Sequence, residues 1–285
     1  MELKLRRSSA TDIVVWPEPA YVERMTGRSD YVERNREAWS RWAARSAAKG
    51  AESWRADQLR WGMWMSAESE LGLLTQLAPG SDIVELGCGS GALCGWFMRS
   101  GFRPVGIDFA PLQLAAAERL QREHGLPFWL VQASAENVPF DRESFDVAVS
   151  EYGASLWSDP RRWLPEAHRL LRSNGVLIFF TTGAMMTACT PEDGGRPGRT
   201  LVRDYFASYR TEFGADNGVE FHPTHSEWIR QLRACGFSVE GLIEVRPPTG
   251  AEPRYDVVGI EWAQHWPSEE IWIARKTEQS LTEGD

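Results

Sequence analysis

The chain lacks a long apolar run, a cysteine pattern and a surplus of basic residues, and each absence excludes something. No stretch reaches the roughly 18 apolar residues from which a membrane-crossing helix is read. Lys4, Arg6 and Arg7 open the sequence, but Asp12, Pro17, Glu18 and Pro19 follow where a secretion signal would carry an apolar segment. The four cysteines, Cys88, Cys94, Cys189 and Cys235, are scattered without a CxxC pair. That spacing excludes a disulfide framework and a cysteine-based metal or redox motif, so no metal is expected and a reducing, cytoplasmic setting is read. A formal net charge of -9 argues against a polyanion as the main partner, because nucleic-acid binding rests on Lys and Arg neutralising phosphates. Neither nucleic acid nor a membrane is expected as a partner, and the expected ligand is a small molecule.

What is present points to one elaborated domain, since 285 residues of which 42% are apolar suffice to bury a large core. Fourteen tryptophans are unusual, and Trp16, Trp39, Trp42, Trp54, Trp61 and Trp64 fall before Ser66. Such side chains either line a pocket or pack a core, and composition alone leaves both open. The Pro-containing opening has no periodicity, so residues 1–29 are expected to be a loosely held tail, with Met25 an alternative start. Residues 278–285 are expected to be a second tail.

From Asp30 to about Ala48, Tyr31, Ala38, Trp39, Trp42 and Ala43 recur at helical spacing, and Glu68 to Leu77 reads as a second helix ending before Pro79-Gly80. Residues 30–78 therefore form a helical cap, followed by the main domain at 79–277. In that domain strands and helices alternate: strands at Asp82–Leu86, Arg103–Ile107, Pro127–Val131, Phe145–Ser150 and Gly175–Thr181, helices at Gly91–Arg99, Pro111–Glu123 and Pro160–Arg172. A helix at His225–Cys235 precedes strands at Ser238–Val245 and Glu270–Arg275, which have no helix between them. The alternation implies an α/β doubly wound sheet, mostly parallel, with an antiparallel pairing at one edge and the ligand at the carboxyl ends of the strands. The stretch of about 184–224, with a short helical reading at Val202–Tyr209, is expected to be an inserted lid over the substrate.

The strongest motif is IVELGCGSG, Ile83 to Gly91: a strand, an acid, then glycines at 87, 89 and 91 opening a helix. Glycine lets the backbone turn sharply and approach a ligand, and the helix start presents unpaired N–H groups. The third glycine follows the second by two positions, so the dinucleotide fingerprint GxGxxG is not met and a nicotinamide dehydrogenase is disfavoured. Glu85 beside the turn would repel a pyrophosphate but suits a ligand carrying an ammonium or sulfonium. Asp108, at the end of the next strand, is placed to accept both hydroxyls of a ribose.

With these elements in hand, the sequence from about Asp30 onward resembles the class I S-adenosylmethionine-dependent methyltransferases of the bacterial small-molecule type. VELGCGSG is similar to the family's first motif, GIDFAPLQL to its second, AENVPFDRESFDVAVSEYG to its third and fourth, and LLRSNGVLIFF to the approach to its fifth strand. The resemblance implies a Rossmann-like fold and S-adenosylmethionine as cofactor. It implies that Glu85, Gly87, Cys88 and Gly89 surround the methionine part, Asp108 holds the ribose and Phe109 flanks the adenine. Ala135 and Glu136 would sit at the adenine edge, and Ser150 or Glu151 near the methionine end. Where the family commonly reads GDAE this chain has Ala133-Ser134-Ala135-Glu136, so the Ser134 hydroxyl replaces an acid as acceptor for the adenine amino group. NREAWSRWA, WGMW and the closing EWAQHWPSEEIWIARK also look like this family, which implies that Trp61 and Trp64 help close the cofactor pocket.

Methyl transfer is an in-line displacement at a carbon already activated by the sulfonium, so alignment and exclusion of water come first and a base is optional. Glu151, Tyr152 and His222, with His225, are the candidate bases, each with a packing or capping role as the alternative. A small aromatic or hydrophobic acceptor is read from Trp157, Phe180, Met185, Tyr205, Phe206 and Trp228, on segments expected to face the pocket. Two other readings keep the cofactor: a non-methylating enzyme that uses the sulfonium as a fixed charge, and a catalytically silent binding subunit. The oligomeric state is left open, a homodimer among the options.

Overall fold

A computed structural model describes residues 13–15, 30–214 and 218–277. Its frame is a sheet of eight strands: β1 Ile13–Val15, β2 Asp82–Leu86, β3 Arg103–Asp108, β4 Trp129–Gln132, β5 Phe145–Glu151, β6 Leu171–Thr182, β7 Phe237–Val245 and β8 Glu269–Lys276. Their spatial order is β1-β4-β3-β2-β5-β6-β8-β7. All neighbours pair in parallel except β8, which runs antiparallel to both β6 and β7 at one end of the sheet. The mostly parallel sheet with an antiparallel pairing at one end is the architecture read from the sequence.

Side-chain alternation along the strands builds a core on each face. Val84, Leu86, Ile107 and Phe179 join Trp163, Trp228 and Trp272 in one, while Ile83, Val147, Val149 and Phe180 join Trp61 and Phe97 in the other. Each fully buried side chain of this size contributes about 1.5–3 kcal/mol relative to exposure. The helices are α1 Asp30–Arg55, α2 Ala92–Arg99, α3 Pro111–His124, α4 Pro160–Leu170, α5 Ala184–Cys189 and α6 His225–Ala234, with single turns at Glu68–Leu71, Ala154–Trp157 and Ile260–Ala263. Among the described residues no helix is long and apolar enough to cross a membrane.

Four expectations change. Ile13–Val15, expected within a loose tail, pairs in parallel with Leu130–Gln132, because β4 would otherwise leave an open row of backbone donors and acceptors and a β-branched run suits that edge. The rest of 1–29, Met25 included, and the tail 278–285 lie outside the described residues. Helix α1 runs past Ala48 to Arg55, with Gly50 inside it instead of ending it. The second cap helix is one turn long, stopped at Gly72 in the left-handed conformation. Val202–Tyr209 forms no helix; the insertion holds α5, an irregular stretch and a two-residue ladder, Arg210–Thr211 with Glu220–Phe221.

Candidate functional site

A pocket opens at the carboxyl ends of β2, β3, β4 and β5, where the chain order diverges to either side of β2. Open mouth included, its space is about 1040 Å³. Glycine builds its floor. Gly87, Gly89 and Gly91 all have positive φ, at 84°, 53° and 70°. A Cβ on Gly87 would lie 2.5 Å from the Gly153 Cα, so the turn after β2 and the turn after β5 touch backbone to backbone. The N–H groups of Gly87 and Cys88 both donate to Ile107 O, at 2.8 and 2.9 Å, fixing the turn to β3.

Asp108 ends β3 with its carboxylate oriented by backbone donors: Gly89 N–H to Oδ2 and Ala110 N–H to Oδ1, each at 2.8 Å. Burial raises it to about 6 in spite of those donors. Glu85, 3% exposed, accepts from Cys94 N–H at 3.2 Å and Cys94 Sγ–H at 2.9 Å, in the first turn of α2. Burial, with the Glu151 charge nearby, pushes it up to about 8. Glu151 accepts from Gly62 N–H and lies 3.7 Å from the Arg254 guanidinium, and burial raises it too. Burial thus raises all three of these pocket acids above the ordinary carboxylate values.

Of the residues singled out in the sequence, Glu85, Gly87, Cys88, Gly89, Asp108, Phe109, Ser134, Ala135, Glu136, Glu151 and Tyr152 line this one pocket. The Ser134 hydroxyl accepts from Glu136 N–H at 3.2 Å. Glu136 works as a latch, accepting from Tyr31 O–H, Asp159 N–H and Arg162. Ser150 is fully buried behind the pocket, donating to Leu86 O at 2.9 Å. Tyr152 has a φ of 53°, which turns its hydroxyl to donate to Glu269 at 2.5 Å; burial beside that acid raises it well above 10, so it is not presented as a base.

Others are placed elsewhere. Trp61 and Trp64 do not close the pocket: Trp61 is fully buried and stacked on Phe180 at 5.3 Å, and Trp64 is pinned to Ser268. Their segment reaches the site through its backbone, at Gly62. His222 is buried between Thr187 and Glu220, with Nδ1 3.1 Å and Nε2 2.9 Å from them, and lines no part of the pocket. His225 faces Glu270 at 2.7 Å. With Glu244 these two place ligand-type atoms within 4.8 Å of one another, outside the pocket. Among the expected aromatic liners only Trp157 is present; Phe180 and Trp228 are core, and Met185, Tyr205 and Phe206 are exposed.

The insertion therefore supplies no pocket wall among the described residues; α1 and a loop between β7 and β8 do. Helix α1 lies along the pocket as a strap. Tyr31 holds Glu136 at one end, Ser46 donates to Gln113 at 3.1 Å in the middle, and Trp54 Nε1–H donates to Ser90 O at 3.0 Å at the other. Gly50 permits the close approach, since a Cβ there would lie 1.9 Å from Ser90 Oγ. Tyr31, Asn35, Trp39 and Ser46 line the pocket from this helix, and Arg254 and Tyr255 from the loop. Sequence reading named Trp39 as a pocket or core residue and missed the others, because nothing local marks a helix face or a loop as facing a pocket built from distant segments.

Three comparisons with known proteins bear on this site. Residues 84–179 match the family model described as "Methyltransferase domain". The chain is similar to the malonyl-[acyl-carrier protein] O-methyltransferase of Serratia marcescens, 27% identical over 55% of this chain and 64% of that one. It is also similar to phthiotriol/phenolphthiotriol dimycocerosates methyltransferase 1 of Mycobacterium ulcerans, 33% identical over 35% and 37%. The chain thus spans less than two thirds of the length of these curated relatives. A solved S-adenosylmethionine dependent methyltransferase from Mesorhizobium loti superposes with a TM-score of 0.58 at 24% identity, covering 74% of this chain and 99% of the other. With the glycine turn, the acid ending β3 and the strand order, these matches show that residues 84–179 carry a methyltransferase domain and that the chain has the fold of solved S-adenosylmethionine dependent methyltransferases.

Proposed function

We propose that the protein transfers the methyl group of S-adenosylmethionine to a small, aromatic or hydrophobic molecule. One observation carries the reading: a single pocket joins an oriented carboxylate at the end of β3, a glycine turn with no room for a side chain at Gly87, the buried Glu85 and the largely buried Glu151. Asp108 would hold the ribose hydroxyls, Phe109 the adenine face, and Glu85 with Glu151 the cationic end. The cofactor supplies a methyl group already activated toward attack. The chain's own work is to orient the acceptor, exclude water and leave the nucleophile's proton a place to go. Trp39 and Trp157, edge to face at 5.3 Å, give the mouth an aromatic, apolar wall that supports the hydrophobic acceptor. No base is needed where the acceptor ionises unaided.

Calorimetric titration with S-adenosylmethionine, S-adenosylhomocysteine and NAD tests the reading. The first two should bind and NAD should not, and Asp108→Ala should weaken both by about 100-fold, the value of charge-assisted hydrogen bonds in a buried site. Binding of NAD alone would overturn it.

A further inference from the structure

Four acids line the pocket, Glu85, Asp108, Glu136 and Glu151, and among the described residues Arg254 is the one cation that does. Two of the acids are already provided for, Asp108 by backbone N–H groups and Glu136 by Tyr31 and Arg162. Glu85 accepts from Cys94 and Glu151 from Gly62 N–H, each on one oxygen only, and Arg254 stands beside Glu151. Its side chain is 15% exposed, and at 3.7 Å from Glu151 Oε2 its Nη1 makes an ion pair too long for a hydrogen bond. Its Nε–H is buried without any partner. A buried guanidinium donor left open is costly, and its neighbours do not relieve it.

The backbone, by contrast, is firmly held. Arg254 N–H donates to Met63 O at 2.7 Å, and Lys49 Nζ donates to Arg254 O at 2.5 Å. The Tyr255 ring packs 5.4 Å from the guanidinium. An arginine fixed at its backbone, flanked by an aromatic ring and short of one acceptor has the form of an anion site. Two acids next to it form a cation site. Opposite charges on adjacent groups are what an α-amino acid end presents.

We propose that Arg254 binds the carboxylate of the cofactor's amino-acid end while Glu85 and Glu151 face its ammonium, so that the loop between β7 and β8 is pinned over the pocket by the cofactor itself. The proposal rests on the cofactor reading above. It gives Arg254 a binding role, distinct from any part in the reaction.

The test compares three ligands on the full chain by calorimetry: S-adenosylhomocysteine, its decarboxylated analogue, and 5′-methylthioadenosine, which lacks the whole amino-acid end. For the wild type, loss of the carboxylate should weaken binding by about 10- to 100-fold. In Arg254→Met that gap should close to within about threefold, with Arg254→Lys between, because the lysine keeps a point charge without the guanidinium fork. Methylthioadenosine should bind wild type and variants alike, which establishes that the adenosine end is intact; if the methionine variant loses it, the lysine variant decides by the same comparison. A full carboxylate gap in a variant that still binds methylthioadenosine would overturn the proposal and leave the arginine to an acidic acceptor. Failure of the wild type to bind any of the three would instead refute the cofactor reading.

Discussion

At the scale of single residues, Glu85 is the side chain whose state a ligand must change. Burial holds it at about 8 and Asp108 at about 6 in the ligand-free protein, so at pH 7 Glu85 is mostly protonated. A cation placed beside it favours the charged form and drives the proton out. Binding of S-adenosylhomocysteine or the methyl donor should therefore release close to one proton at pH 7 and tighten as pH rises from 6 to 8. Titrations in two buffers of different ionisation enthalpy measure this directly, and Glu85→Gln should abolish the buffer dependence. Equal heats in both buffers would mean that the cation does not come to Glu85. The residue-level reading of the sequence reached much of the pocket lining, since Glu85, Gly87, Gly89 and Asp108 sit in contiguous motifs whose chemistry is local. It misplaced Trp61, Trp64 and His222, because a tryptophan or histidine near a motif packs inward as readily as it faces a ligand, and only the three-dimensional neighbours decide.

Elements carry the next layer. Strands β2 through β6 were legible because each is an apolar run bounded by glycine, proline or a helical pattern, and their bounds differ from the sequence reading by a few residues at most. The cover of the site was not legible. Gly50 reads as a helix end, yet its missing side chain lets α1 lie against Ser90, so a feature that resembles a stop is a contact. The insertion looked like a lid by length alone, whereas it is tied down at its base, with Glu270 accepting from Ala184 N–H at 3.0 Å and His225 facing the same carboxylate. The contact between the two turns gives a prediction at this scale. Gly87→Ala should destabilise the protein by about 2–4 kcal/mol, from a left-handed φ combined with a clash against Gly153, and should abolish cofactor binding. Thermal or urea unfolding checks the first, calorimetry the second. Gly101→Ala, with a similar φ of 82° but nothing within 4 Å, should cost only the conformational part, about 1 kcal/mol, and leave binding intact.

For the molecule as a whole, buried acids set how stability follows pH. Glu269 is fully buried, accepts from Tyr152 O–H and Met63 N–H on one oxygen, leaves the other without a partner, and sits near the Glu151 charge. Burial raises it from 4.5 to about 7. A raised acid means that the folded chain holds a proton the unfolded chain has lost. Its contribution to stability is therefore complete below about pH 4.5 and falls as pH climbs through 7, by at most about 1.4 kcal/mol per pH unit. Glu269→Gln should flatten the decline of melting temperature between about pH 5 and 7; an unchanged slope would show that Glu269 is ionised throughout that range. Finally, the strap and the loop that roof the pocket meet where Lys49 holds Arg254, 205 positions along the chain. During synthesis on the ribosome, the strap emerges long before its clasp. A nascent chain halted short of Arg254 already contains the glycine turn and Asp108 but has no roof, so retention of the cofactor by such a halted chain should begin only once the loop has left the exit tunnel.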